Sequence, residues 1–267
     1  MGKRIAALFG NNYKRYPENE LRGCHNDVRN MASELVRAGM FREHEVRRHL
    51  DADSADSSES DPATTRLGMI SALTDIALRT QAEDVELVYI HYSGHGDRLG
   101  RRRCILPSDF EDYPGDDGVI IDDWLSGWTL TCHQRTRLVV VFDCCYSGND
   151  LELRPRRGRK ITFLSGCTKD QTSEDAAGID ERYEFTGALT TCMVQTLQAE
   201  PALFGDVFSL LQRINALLRR DHFRQTPVLT STHCLQDDPV FLPTRLQRRA
   251  GTMFSNPLTL HRRCWCS

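Results

Sequence analysis

Two near-continuous apolar runs, at residues 85–92 and 138–142, each end at a polar turn that contains glycine. Runs of this kind are typical of strands that are buried on both faces of a parallel sheet. Strand-like and helix-like segments alternate along the rest of the chain, which predicts an α/β fold with a mostly parallel central sheet. The functional site of such a sheet forms at the carboxyl ends of its strands, and both turns fall there.

The flanking segments extend this pattern. Residues 3–9 predict a strand, and apolar residues recur at helical spacing in 26–37. Residues 51–61 are rich in Ser, Asp and Glu and predict a loop, and Pro62 then suits the start of a helix that runs to about residue 80. The remaining predictions are a strand at 161–165, helices at 185–198 and 207–219, and a last strand at 228–231.

The two turns bring two reactive side chain types to the strand ends. His95 follows the first run, and Cys144 and Cys145 follow the second. A thiol nucleophile with a separate imidazole base needs this pair of groups. Each turn also has a plainer interpretation, since SGHG suits an ordinary strand-ending turn and a buried cysteine is usually inert packing.

Several segments, taken in order, resemble the metacaspases of the caspase-like cysteine peptidases. These segments are AALFGNNY (6–13), LRGCHND (21–27), YSGHGD (92–97), DCCYSG (143–148), LSGCTKDQTS (164–173), FTGALT (185–190) and QTPVL (225–229). The resemblance implies a caspase-like α/β/α sandwich in residues 1–243. Beyond Pro243 the composition turns basic and irregular, which predicts a loosely packed tail at 244–267. Two positions depart from the family pattern, because Tyr146 stands where a histidine usually follows the nucleophile and Cys144 where a serine usually precedes it.

The resemblance assigns the catalytic dyad to Cys145 and His95. The side-chain period of two in a strand then places Asp143 on the side of Cys145, and Cys144 on the opposite, buried side. His95 accepts the thiol proton or pairs with the thiolate, and it later protonates the leaving amine.

The reaction of such a dyad passes through an acyl-enzyme, which water releases. The oxyanion needs N–H donors aimed at the point where charge develops. We expect the backbone N–H of Cys145 and that of Gly94 or Gly96 to serve, and the sequence leaves the choice of glycine open.

The resemblance also implies a substrate-binding pocket formed by Cys24, Asp27, Ser93 and Asp143. Metacaspases select Arg or Lys with acidic residues, whereas caspases proper select Asp with arginines, so Asp27 and Asp143 are interpreted as the selectors of a basic residue. Without the resemblance, Asp27 suits a helix-start residue that interacts with free backbone N–H groups.

An acidic belt lies between the halves of the dyad and continues after the cysteine. Its members are Asp109, Glu111, Asp112, Asp116, Asp117, Asp122, Asp123, Asp150 and Glu152. Clustered carboxylates repel one another unless a cation joins them, and calcium takes several such ligands. The resemblance implies an activating Ca²⁺ held by Asp109, Asp122, Asp123 and Glu152, with Asp150 as the substitute for Glu152. The alternative is a solvated loop in which Asp122 and Asp123 cap the helix that follows.

Composition limits the partners. The 267-residue chain has a net charge of −3 and a pI of about 6.3, which gives no reason to expect nucleic acid or an anionic membrane. No run approaches the roughly 18 apolar residues of a membrane helix, and no signal-peptide core follows the first residues. We therefore expect a cytoplasmic protein, and we expect it to be a monomer. The resemblance implies that its partners are protein or peptide substrates with Arg or Lys before the cleaved bond.

The ten cysteines form no repeated framework, so reduced thiols are expected. Four of them have core-like neighbours and are predicted to be packing residues: Cys104, Cys132, Cys192 and Cys234. No CxxC motif is present, and Cys264 and Cys266 lack the partners of a zinc site.

Three functions remain in view. The main one is a calcium-stimulated endopeptidase that cleaves after Arg or Lys and acts in programmed cell death or a stress response. A catalytically silent scaffold is disfavoured by the intact His95 and Cys145, and an Asp-specific caspase is disfavoured by the acidic pocket.

The stretch RPRRGRK at 154–160 is basic and aperiodic, and a peptidase with this preference is predicted to cut itself there. The expected positions are Arg156, Arg157, Arg159 and Lys160. The alternative is a connector that is too short to reach the cleft.

Overall fold

The computed structural model describes residues 2–52, 60–100, 102–144, 158–166, 187–201, 203, 206–223 and 225–235. Its strands are β1 (Lys3–Gly10), β2 (Val46–Leu50), β3 (Val85–Ser93), β4 (Gly96–Leu99), β5 (Arg102–Ile105), β6 (Ile120–Ile121), β7 (Arg137–Asp143), β8 (Ile161–Ser165) and β9 (Val228–Ser231). Its α-helices are α1 (Cys24–Arg37), α2 (Arg66–Ala82), α3 (Asp122–Thr131), α4 (Ala188–Ala199) and α5 (Val207–Arg220).

Six strands form the central sheet, in the order β2-β1-β3-β7-β8-β9. The first five are parallel and β9 pairs antiparallel with β8, so the prediction of a mostly parallel sheet is confirmed. A second, antiparallel sheet of β4, β5 and β6 follows the end of β3.

Helices cover both faces of the central sheet. Alternate residues of each strand point to opposite faces, and this divides the apolar core into two clusters. One cluster joins the strands to α1, α4 and α5, and the other joins them to α2 and α3. At the second interface Trp128 of α3 buries its indole and donates from Nε1 to the Leu73 carbonyl of α2 at 2.6 Å. The α/β/α sandwich implied by the resemblance is therefore present.

Some elements differ from the sequence prediction. Helix α1 begins at Cys24, two residues before the predicted start, and a 3-10 turn at Pro62–Thr64 precedes α2. β2 and the second sheet were not predicted. β2, β4 and β5 are short and carry charged residues that hide the apolar pattern, and β6 has only two residues. The tail predicted at 244–267 lies outside the described residues. No helix of the described part is long and apolar enough to cross a bilayer.

Three of the four cysteines predicted as packing residues are buried. Burial raises the pKa of Cys104, Cys132 and Cys192 to about 12, so these thiols stay protonated and unreactive. The prediction is wrong for Cys234, which is only half-buried because it follows β9, a strand whose residues are all half-exposed.

Candidate active site

The two predicted turns lie side by side at the carboxyl edge of the central sheet. Ser93 ends β3 opposite Asp143, which ends β7, and His95 follows two residues after Ser93. Cys144 is buried with the side chains of the α2 face, so its predicted burial is confirmed. The predicted nucleophile, Cys145, lies outside the described residues.

The imidazole of His95 has a defined tautomer. Its Nε2 lies 2.8 Å from the carbonyl oxygen of Asn19. A carbonyl oxygen only accepts, so Nε2 carries the proton and, in the neutral ring, Nδ1 is the basic nitrogen. The Tyr13 ring packs against the imidazole with centroids 4.8 Å apart. This arrangement leaves Nδ1 as the atom that can accept a proton.

The loop that carries Asn19 is braced by two members of the acidic belt. Asn19 donates from Nδ2 to Glu111, Arg15 forms an ion pair with Asp112 at 2.7 Å, and the Tyr16 hydroxyl donates to Asp112 at 3.0 Å. Partial burial and the Asp112 hydrogen bond raise the pKa of Tyr16 to about 12, so its hydroxyl stays a donor. Part of the belt therefore holds the carbonyl that orients His95.

The two glycines proposed for the oxyanion differ in how their N–H groups are used. The Gly94 N–H donates to the Asp143 carbonyl at 3.4 Å. Gly96 pairs with Ile105, and the flanking bond runs from the Leu106 N–H to the His95 carbonyl. Gly96 and Ile105 are thus a non-hydrogen-bonded pair, so the Gly96 N–H points away from β5. Gly96 is the better placed donor.

The predicted acidic pocket is assembled from three elements. Ser93 donates from Oγ to Asp27 Oδ2 at 2.6 Å, and the Gly187 N–H lies 2.9 and 3.0 Å from the two Asp27 oxygens. Asp143 Oδ2 accepts from the Thr190 N–H at 2.8 Å. Asp27, Ser93 and Asp143 are only 1%, 2% and 4% exposed. The structure brings these side chains together, and the N–H groups at the start of α4 stabilise the two acids.

Gly187 lies between the two carboxylates. A Cβ at this position would lie 2.5 Å from Asp143 Oδ2 and 2.8 Å from Asp27 Oδ2, both too close for a real contact. Both acids therefore line one small space. Cys24, the fourth predicted pocket residue, is buried at the start of α1, one turn before Asp27, and its N–H donates to the Asn12 side chain at 3.1 Å.

The predicted calcium ligands do not come together in the described residues. Asp109 accepts from the Arg66 N–H at 2.7 Å, and Asp122 accepts from the Asp123 N–H at 2.9 Å, both at helix starts. No group of three His, Cys, Asp or Glu side chains in the described ranges could hold a metal ion. Glu152 and its substitute Asp150 lie outside those ranges. The described acids alone therefore form no metal site, and the Ca²⁺ assignment, which also needs Glu152, stays a prediction. The alternative role of Asp122 and Asp123 as helix caps is not seen, because α3 begins at Asp122 without a side-chain cap.

Sequence reasoning assigned no role to Tyr13, Asn19 or Gly187. Tyr13 and Gly187 lie inside segments that carried the resemblance, and Tyr13 follows β1 at the same edge of the sheet, which is a usable signal. Asn19 acts through its backbone carbonyl, which no side-chain pattern reveals.

Comparisons with known proteins place this geometry in context. Residues 3–237 match the model of the caspase domain of peptidase family C14. Metacaspase-3 of Trypanosoma brucei brucei is 28% identical over 92% of this chain and 76% of its own length, and metacaspase-1 of Pyricularia oryzae is 35% identical over 67% and 43%. A T. brucei brucei relative named inactive metacaspase-4 is 27% identical over 86% and 71%. A solved Geobacter sulfurreducens protein shares the fold, with a TM-score of 0.63, 20% identity, and coverage of 90% of this chain and 97% of that one.

Proposed function

The chain belongs to the caspase-domain family of cysteine peptidases, and on that premise we propose that it is an endopeptidase that cleaves after Arg or Lys. The observation that supports this specificity is a pair of buried carboxylates at the end of β3. Asp27 accepts from the Ser93 hydroxyl, and Asp143 lies opposite Ser93, two residues before His95. A guanidinium or ammonium group complements two buried anions, whereas an Asp side chain would add a third negative charge.

The proposed reaction uses His95 Nδ1 as the base for the Cys145 thiol. The thiolate attacks the carbonyl carbon of the basic residue, and the N–H groups of Gly96 and Cys145 receive the oxyanion. The imidazolium then protonates the leaving amine as the C–N bond breaks. Water, activated by the same imidazole, hydrolyses the acyl-enzyme and restores the thiol.

Four fluorogenic peptides that differ only in the residue before the cleaved bond test this proposal. Arg and Lys peptides should be cleaved, and the Asp peptide should not. Citrulline, which keeps the shape of Arg without its charge, should be cleaved far more slowly than Arg. Preferred cleavage of the Asp peptide would support a caspase of the opposite specificity. No cleavage of any peptide by the purified protein, with or without added Ca²⁺, would support the catalytically silent scaffold.

Calcium stimulation is part of the proposal and is supported by the resemblance to metacaspases alone, as is a role in programmed cell death or a stress response. The test compares Asp122→Ala/Asp123→Ala with Asp116→Ala/Asp117→Ala, a neighbouring acidic pair that was not assigned as ligands. The first variant should lose the stimulation of peptide cleavage by Ca²⁺, and the second should keep it. Equal calcium affinity of the first variant and the wild type in calorimetry would contradict the ligand assignment.

A further inference from the structure

We propose that Tyr13 is a positioning residue for His95. This inference rests on the proposed function, because it assigns Tyr13 a part in the same reaction. Tyr13 takes no part in the bonds that the reaction forms and breaks. Its role is to fix where His95 Nδ1 points.

The main chain of His95 lies between two buried tyrosine hydroxyls. The His95 N–H donates to the Tyr13 hydroxyl at 3.0 Å, and the Tyr92 hydroxyl lies 2.8 Å from the His95 carbonyl oxygen. The two hydroxyls are 2.9 Å apart, and the Tyr13 hydroxyl donates to the Leu106 carbonyl at 2.5 Å. Burial raises the pKa of both tyrosines, so both stay protonated donors. Both polar main-chain groups of His95 are therefore held.

Tyr13 also contacts the side chain of His95. Its ring packs on the imidazole from one side, while the Asn19 carbonyl accepts from Nε2. With the main chain, one ring face and Nε2 all fixed, the direction of Nδ1 is fixed as well. Proton transfer needs heavy atoms within about 2.6–3.2 Å, so a small shift of the base slows the reaction.

The backbone of Tyr13 is held in an uncommon conformation. Its φ is 55°, in the left-handed region that residues other than Gly, Asn and Asp rarely adopt. Asp51, at the end of β2, accepts from the Tyr13 N–H at 2.7 Å and from the Asn12 N–H at 2.8 Å. His25 Nε2 lies 2.5 Å from the same carboxylate, and all of these groups are buried. A buried polar network that fixes a strained residue beside the base points to a positioning role.

Gly94 shows how little space the arrangement leaves. A Cβ at this position would lie 2.6 Å from the Tyr92 hydroxyl and 2.8 Å from the Tyr13 hydroxyl. The residue before His95 must therefore lack a side chain for both hydroxyls to reach the His95 main chain.

The test replaces the hydroxyl alone, in Tyr13→Phe. Without it the His95 N–H loses its acceptor, and we expect kcat on the Arg peptide to fall at least tenfold, with KM within twofold of wild type. The ratio of Arg to citrulline cleavage should stay unchanged. The iodoacetamide alkylation rate of Cys145 at neutral pH, followed by mass spectrometry, should fall in parallel because it reports the thiolate that His95 supports.

Tyr89→Phe is the matched control. Tyr89 is as buried as Tyr13, and it lies on the face of β3 opposite to Tyr92. It should keep both kcat and the alkylation rate. The inference is overturned if Tyr13→Phe keeps both rates, or if Tyr89→Phe lowers them equally. If Tyr13→Phe does not fold, Asp51→Asn replaces it, because Asp51 holds the Tyr13 backbone. This variant should show the same fall of kcat at unchanged KM, and a wild-type kcat in Asp51→Asn would overturn the inference.

Failure of the proposed function gives a different result. A wild-type protein that cleaves no peptide would contradict peptidase activity, yet the alkylation rate of its Cys145 would still report whether Tyr13 positions His95.

Discussion

The two sides of the carboxyl end of β3 are built from opposite chemistry. On the side of Tyr92, neutral hydroxyls and a backbone carbonyl hold His95. On the side of Ser93, one residue later, buried carboxylates are held by a serine hydroxyl and by the N–H groups at the start of α4. Successive residues of a strand face opposite ways, so one strand end serves both sides.

In the proposed function, this difference separates the chemical step from the choice of substrate. The groups that contact His95 are uncharged, and they fix its orientation. Charge on the other side is what a cationic substrate requires. Variants on the first side should change kcat for every substrate, and variants on the second should change the preference for Arg.

Removal of a dyad member should have the largest effect. Cys145→Ala and His95→Ala should each lower kcat about 10³-fold or more, and the double variant should cost little further because the two residues act as a unit. Cys144→Ala should keep most of the activity, because Cys144 is buried on the α2 face. Steady-state kinetics on the Arg peptide measures this. Similar losses in Cys144→Ala and Cys145→Ala would show that the nucleophile is misassigned.

Neutralising one pocket acid should have the next largest effect, and only on charged substrates. Asp143→Asn or Asp27→Asn should lower kcat/KM for the Arg peptide about 10²-fold, because the guanidinium loses a buried anionic partner. The citrulline peptide should change little. An equal fall for both peptides would mean that the acids shape the site without selecting charge.

A methyl group at Gly187 should displace the acids that it separates. We expect Gly187→Ala to lower the ratio of Arg to citrulline cleavage about tenfold, since small displacements in a site are costly. Gly127→Ala is the matched control, because a Cβ on this α3 glycine meets no atom within 4 Å and Ala favours the helix. A wild-type ratio of Arg to citrulline cleavage in Gly187→Ala would show that the start of α4 does not contribute to specificity.

Self-cleavage should be the smallest of the expected activities. It should occur at fewer than the four predicted positions in the basic stretch at 154–160. The Arg159 guanidinium donates to the carbonyls of Thr129, Leu130 and Cys132 at the end of α3. Lys160 lies beside it, and its carbonyl accepts from the Leu138 N–H at the amino edge of the sheet, opposite His95. These contacts disfavour cleavage after Arg159 and Lys160.

Arg156 and Arg157 lie outside the described residues and remain the predicted positions. Mass spectrometry should find fragments that end there in the wild type and not in Cys145→Ala. Fragments that end at Arg159 would show that the contacts at the end of α3 open during the reaction.

The central strands were predictable because burial on both faces leaves a strong apolar signature in β3 and β7. The edge strand β2 has the sequence VRRHL, in which half-exposed basic residues remove that signature. The contacts of the acidic belt were not predictable for another reason. The partner of Asp112 is Arg15, 97 residues away, so the compensation of its charge is invisible in the local sequence.

The grouping of the candidate site residues was predictable where a motif carries the side chain. Asp27, Ser93, His95 and Asp143 were identified in this way, and the structure places them at one edge of the sheet. The Asn19 carbonyl was not predictable, because every residue has one and only the fold determines which carbonyl reaches His95.

The pocket also joins the two parts of the chain on either side of the β7–β8 connection. Asp27 and Asp143 precede that connection, whereas the Gly187 and Thr190 N–H groups that they accept from follow it. The β7–β8 ladder, from Leu138 to Phe142, adds backbone hydrogen bonds between the same two parts. A single break in the connection would remove none of these bonds. The two acids and the N–H groups that hold them are therefore joined by non-covalent bonds, so the proposed pocket does not depend on an unbroken chain between β7 and β8.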